Sequence, residues 1–120
     1  MRALAALLLV ATLGACSQGP TTLEERGEGL ARRSGCLGCH TTDASDGTAP
    51  TWKGLFGSER KLDDGSTVTA DDAYLRESIL QPRAKTVEGY PEDLMETVIK
   101  PNSFTDEDLD ALIAYIKTLS

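Results

Sequence analysis

The chain has 120 residues, 40% hydrophobic and 26% charged, with a formal net charge of −7. That length suits one compact domain and excludes two, and the acidic balance argues against nucleic acid as a partner. Aromatic residues make up only 5%, so a domain of this size has a thin core unless a large apolar ligand supplies buried surface.

Met1-Arg2 followed by the apolar run Ala3 to Leu13 is too short to remain as a membrane span. It ends in Leu13-Gly14-Ala15-Cys16, the pattern of a bacterial lipoprotein leader, so residues 1–15 are expected to be removed and Cys16 acylated. An ordinary secretory leader with an incidental cysteine is the plainer reading, and either one exports the protein. Loss of Arg2 from the 12 basic residues leaves 11 against 19 acidic ones, a balance of −8. Such a surface suits partners with basic docking faces, although it also serves solubility alone. Residues 16–22 read as a tether, with a reach of about 20 Å for the linker after Cys16, and residues 23–120 as the folded domain.

Thr22 and Glu25 make a capping-box pattern that predicts a helix from about Leu23, and Gly35 supplies its stop. From Cys36 to Gly65 the chain is rich in Gly, Asp, Ser and Thr and reads as loop, with a turn near Leu55-Phe56-Gly57. A second helix is expected from Thr69, capped with Asp72, carrying Tyr74, Leu75, Ser78 and Ile79 and ended by Pro82. Residues 83 to 104 read as irregular. Thr105 and Asp108 then cap a last helix in which Leu109, Leu112, Ile113, Ile116 and Leu119 recur at helical spacing. No alternating run predicts a strand. The expectation is an all-α fold of three to five helices, with loops long enough to imply that a cofactor organises them.

Cys36-Leu37-Gly38-Cys39-His40 has the C-x-x-C-H spacing of c-type haem attachment. Two thiols about one helical turn apart reach the vinyl groups of one porphyrin edge, and the next side chain offers its imidazole to the iron. A thioredoxin-like pair would want a βαβ context, which is missing. A zinc site would want four ligands, but the chain has one histidine and only Cys16 as a further thiol. With His40 the sole histidine, a second axial ligand must be something else. Met95 is the only methionine beyond the leader, and His/Met ligation marks an electron-transfer haem of raised potential. A core-filling Met95, Lys85 as ligand and an open sixth position are the alternatives.

At these residues the chain resembles the monohaem class I cytochromes c, and is most similar to the cytochrome c domain fused to subunit II of some bacterial terminal oxidases. The similarity runs from Gly27 to Leu119. Its carriers are Gly27 and Leu30 before the Cys36–His40 motif, the run from Ala49 to Gly57, Asp64 to Thr69, Tyr74 to Ile79, Gly89-Tyr90-Pro91 before Met95, and Leu112 to Ile116.

The resemblance implies a cytochrome c fold around one covalent haem. It implies that the Pro50 carbonyl holds the far ring nitrogen of His40, a plain turn proline being the alternative. Trp52, Leu55 and Phe56 would wall the haem. Gly27 would let the first helix cross the last near Leu112 and Tyr115. Arg60 would meet a haem propionate or simply lie in solvent. Two positions depart from the family pattern: Ala31 stands where an aromatic is usual, and Glu96 follows Met95 where a proline is common. A less filled helix crossing and a looser iron–sulfur bond are expected.

The functional expectation is a one-electron carrier and not an enzyme, with no small-molecule substrate. Its donor would be a quinol-oxidising complex and its acceptor a terminal oxidase. It would lie on the periplasmic or cell-surface side of a bacterial membrane, held by the lipid on Cys16. A sensor or peroxidase with an open iron position and a cofactor-free structural lipoprotein are the rival readings.

Overall fold

The first and last helices begin as their capping boxes predict. A computed structural model describes residues 22–120. In it the Thr22 hydroxyl accepts from the Glu25 N–H and the Glu25 carboxylate accepts from the Thr22 N–H, both at 3.1 Å. This starts α1, Leu23–Arg33, and Gly35 leaves the helix with φ +78°, a conformation glycine adopts without strain. The expected leader over residues 1–15, Cys16 and the rest of the tether up to Thr21 lie outside the described residues. Among the described residues no helix is long and apolar enough to cross a membrane.

Between α1 and the next helix lie a short 3₁₀ turn, Cys36–Gly38, and a two-stranded antiparallel hairpin. Strand β1, Glu59–Lys61, pairs with β2, Thr67–Thr69, with Arg60 opposite Val68. The hairpin corrects the reading of this stretch as strandless. Each strand has three residues, too few for alternation to register in the sequence. The turn is instead made by the Asp64 carboxylate, which accepts from Ser66 N–H at 2.8 Å, and by Gly65 at φ +84°.

Helix α2 spans Asp72–Leu80, and its cap is Asp71, whose carboxylate accepts from Tyr74 N–H at 2.8 Å. The expected Thr69–Asp72 box does not form, because Thr69 is committed to the β1–β2 ladder. A second correction falls in the stretch read as irregular, where α3, Leu94–Val98, carries Met95. No side chain caps α3, so the sequence offers no starting mark for it. Helix α4, Asp106–Thr118, closes the chain with the Thr105–Asp108 box intact.

The architecture rests on the crossing of α1 and α4. A Cβ placed on Gly27 would lie 1.9 Å from the Ala111 carbonyl oxygen and 2.9 Å from Tyr115 Cβ. Only a residue without a side chain allows the two backbones so close. The contact is thus with Ala111 and Tyr115, one position from the expected Leu112, and Ala31 is wholly buried in the same core. Arg26 ties the two helices at their ends through an ion pair with Asp108 at 2.6 Å. Leu109, Leu112 and Ile116 of α4 are the largest fully buried side chains, each stabilising by about 1.5–3 kcal/mol. With α2 leaning on α4, the helices leave a cleft on the side that faces the Cys36–Gly38 turn, α3 and β1.

Candidate functional site

The Cys36–His40 segment folds tightly because its own amides close on Cys36. Cys39 N–H and His40 N–H both donate to the Cys36 carbonyl, at 3.2 and 3.0 Å. The turn brings both sulfurs to the rim of one cleft, where each cysteine is half-buried and free of any disulfide. Burial pushes the Cys36 thiol up in pKa, and the neighbouring Cys39 adds to it. That is the reverse of the lowered thiol that a thioredoxin-like pair needs.

His40 reaches the cleft with one nitrogen already engaged. Its Nδ1 lies 2.7 Å from the Pro50 carbonyl oxygen, and since a carbonyl can only accept, Nδ1 carries the proton. Nε2 keeps its lone pair. Burial lowers the His40 pKa more than the Pro50 carbonyl raises it, so the ring is held neutral. The loop that presents Pro50 is pinned back on the motif: Ala49 N–H donates to Cys39 O at 3.2 Å, and Trp52 N–H to Thr41 O at 2.8 Å. The Trp52 ring stacks on His40 at 5.0 Å and meets the edge of Tyr115 at 6.2 Å, which joins the imidazole to the α1–α4 core.

Most of the lining of the cleft is apolar. Met95 and Val98 line it from α3, Ile99 from the residue after that helix, and Leu55 and Trp52 from the loop. Helix α2 contributes Tyr74, Leu75, Ser78 and Ile79, a stripe at helical spacing. Phe56 is not brought into the cleft. Its ring packs against the core and lies under Lys117, whose ammonium is 4.7 Å from the ring centre. Lys85 also lines the cleft, but its ammonium is engaged in an ion pair with Glu77. Glu96, expected to loosen the segment after Met95, pairs with Arg83 at 3.4 Å.

The profile of the cytochrome c family matches residues 24–120, nearly the whole described chain. The chain belongs to the cytochrome c family. It is a class I member, a haem-based electron carrier with a covalently bound c-type haem, and its helices and loops form the cytochrome c fold. Comparison with curated proteins finds no match.

The cleft suits that group on independent grounds. Two buried donors, Arg60 Nε and Ser78 Oγ, have no partner within the protein, and both residues line the cleft. Buried polar atoms are nearly always hydrogen-bonded, so unpaired donors facing a cavity mark where a ligand brings acceptors. A haem brings two carboxylates and otherwise presents an apolar body. Apolar walls, free thiols at one rim, a bare imidazole nitrogen and orphaned donors are the complement of such a molecule. Among the described residues no group of three or more His, Cys, Asp or Glu could hold a metal ion by itself. Ser78 was not legible as a site residue, since in sequence it reads as one more position on a helix face.

Proposed function

We propose that this cytochrome c carries single electrons through a haem attached at Cys36 and Cys39 and ligated by His40 and Met95. The carrying observation is that the sole histidine and the only methionine among the described residues line one cleft beside both cysteines. When bound, the haem supplies the one-electron ferric–ferrous couple. His40 offers Nε2 in a fixed tautomer, because Pro50 and Trp52 leave the ring one orientation. Met95 offers a soft thioether that favours the ferrous state. With His40 and Met95 as its ligands, the iron would be held from the chain on both counts and would leave no place for a substrate, which is the reason to read a carrier and not an enzyme. Leu55 and Trp52 exclude water from the cleft wall.

The half-buried Cys36-Leu37 turn leaves the attachment edge close to solvent, a short path for electrons. The acidic surface suits a partner with a basic face. We read the setting as a respiratory chain on the outer side of a bacterial membrane, with a quinol-oxidising donor, a terminal oxidase as acceptor and a lipid on Cys16 as anchor. The leader pattern and the likeness to oxidase-fused domains support this reading.

The test is spectroscopic. Matured wild-type protein should be low-spin in both redox states and should stain for haem on a denaturing gel, and Met95→Ala should turn the ferric form high-spin. An identical ferric spectrum in Met95→Ala would remove the thioether from the iron. Mass spectrometry of membrane-extracted protein checks acylation at Cys16.

A further inference from the structure

We infer that Arg83 is a positioning residue that holds Met95 against the iron, a role that rests on the ligand reading just given. The need for one is visible in α3. A five-residue helix does not stand by itself. This one has no side-chain cap and no fully buried residue. Among the described residues, the side-chain ion pairs that reach this turn come from one guanidinium in the segment after α2. Arg83 Nη2 meets the Glu92 carboxylate at 3.1 Å, and Arg83 Nη1 meets Glu96 at 3.4 Å. The two carboxylates bracket Met95 along the chain, three residues before it and one after, so one fork spans the ligand-bearing turn from both sides.

The ion pairs bias the ligand only insofar as they exist when α3 is closed and break when it lifts. Arg83 lies in the stretch that leaves α2, whereas Glu92 sits just before α3 and Glu96 within it, so lifting the turn draws both carboxylates away from the guanidinium. Without Arg83, Glu92, Asp93 and Glu96 would crowd three like charges around the turn. All three paired side chains are more than half exposed, which keeps the effect modest and open to salt. A charge clamp thus stands where a proline would otherwise stiffen the chain after Met95.

Ferric holoprotein is titrated with imidazole, and displacement of the thioether is followed in the visible spectrum. Arg83→Gln should bind imidazole about two- to tenfold more tightly than wild type at low ionic strength, as expected for two exposed pairs. Arg83→Lys should fall between, since an ammonium keeps the charge but loses the fork. The gap should close in about 1 M KCl, where the screening length is about 3 Å. The double change Glu92→Gln with Glu96→Gln should reproduce Arg83→Gln. Titrations of Arg83→Gln that superimpose on wild type at low salt, or that differ by the same factor at every salt concentration, overturn the clamp. Met95→Ala separates the two ideas: an unchanged ferric spectrum there sinks the ligand and the clamp together. A changed one with no shift in Arg83→Gln sinks the clamp alone.

Discussion

The Nδ1–H of His40 donates to the backbone carbonyl of Pro50 across 2.7 Å, with the Trp52 ring stacked on the other side of the imidazole. The acceptor is main chain, so its position depends on how firmly the loop is held. A strong acceptor on Nδ1–H makes Nε2 more electron-rich and favours ferric iron. Pro50→Gly, which frees the loop, should therefore raise the midpoint potential by tens of millivolts, where about 59 mV is a factor of ten for one electron. Redox titration of the holoprotein checks the sign; a lower or unchanged potential contradicts the role given to this carbonyl.

Arg60 should act in the opposite direction. Its Nε is buried without a protein partner in the lining of the cleft, and a cation there favours the less positive ferrous state. Arg60→Gln should lower the potential by tens of millivolts and should weaken the holoprotein toward heat. A potential unchanged in Arg60→Gln would place its charge in solvent.

Two glycines of α1 should respond to alanine in contrary ways. At Gly27 the new Cβ meets the Ala111 carbonyl at 1.9 Å, a backbone atom that cannot step aside, and Gly27→Ala should cost about 2–3 kcal/mol. At Gly29 it meets only the flexible end of Arg33 at 2.9 Å, so Gly29→Ala should be neutral or stabilising by up to about 1 kcal/mol. Chemical denaturation of the two variants tests the α1–α4 crossing directly.

The cap of α4 predicts a pH dependence. Asp108 is held below the usual carboxylate range, first by the backbone N–H of Thr105 and then by Arg26. A carboxylate with a depressed folded pKa stabilises above its unfolded value, near 3.8, and that contribution is lost as pH falls through the folded one. Asp108→Asn should thus be less stable than wild type by about 1 kcal/mol at neutral pH. The difference should shrink below pH of about 4. A constant gap down to pH of about 2 would assign the effect to packing and not to charge.

What could be read in the chain by itself is whatever short-range chemistry writes within a few residues. The Cys36–His40 spacing, the Thr22 and Thr105 caps, the Gly35 stop and the apolar stripe of α4 all belong to this kind, and the elimination that left Met95 needed only a count. Even Gly27 was legible as a close approach, though its neighbour proved to be Ala111. Other features depend on segments far apart in sequence being brought together, and no local pattern encodes that. The β1–β2 hairpin is too short to show alternation, and α3 has no cap and exists only against the cleft. Phe56 was directed under Lys117 by the path of the chain after Trp52. Ser78 and Arg60 became site residues only when folding buried their donors without partners beside an apolar cavity. Local propensity chose the helices and the Cys36–His40 turn; long-range closure decided which side chains line the cleft.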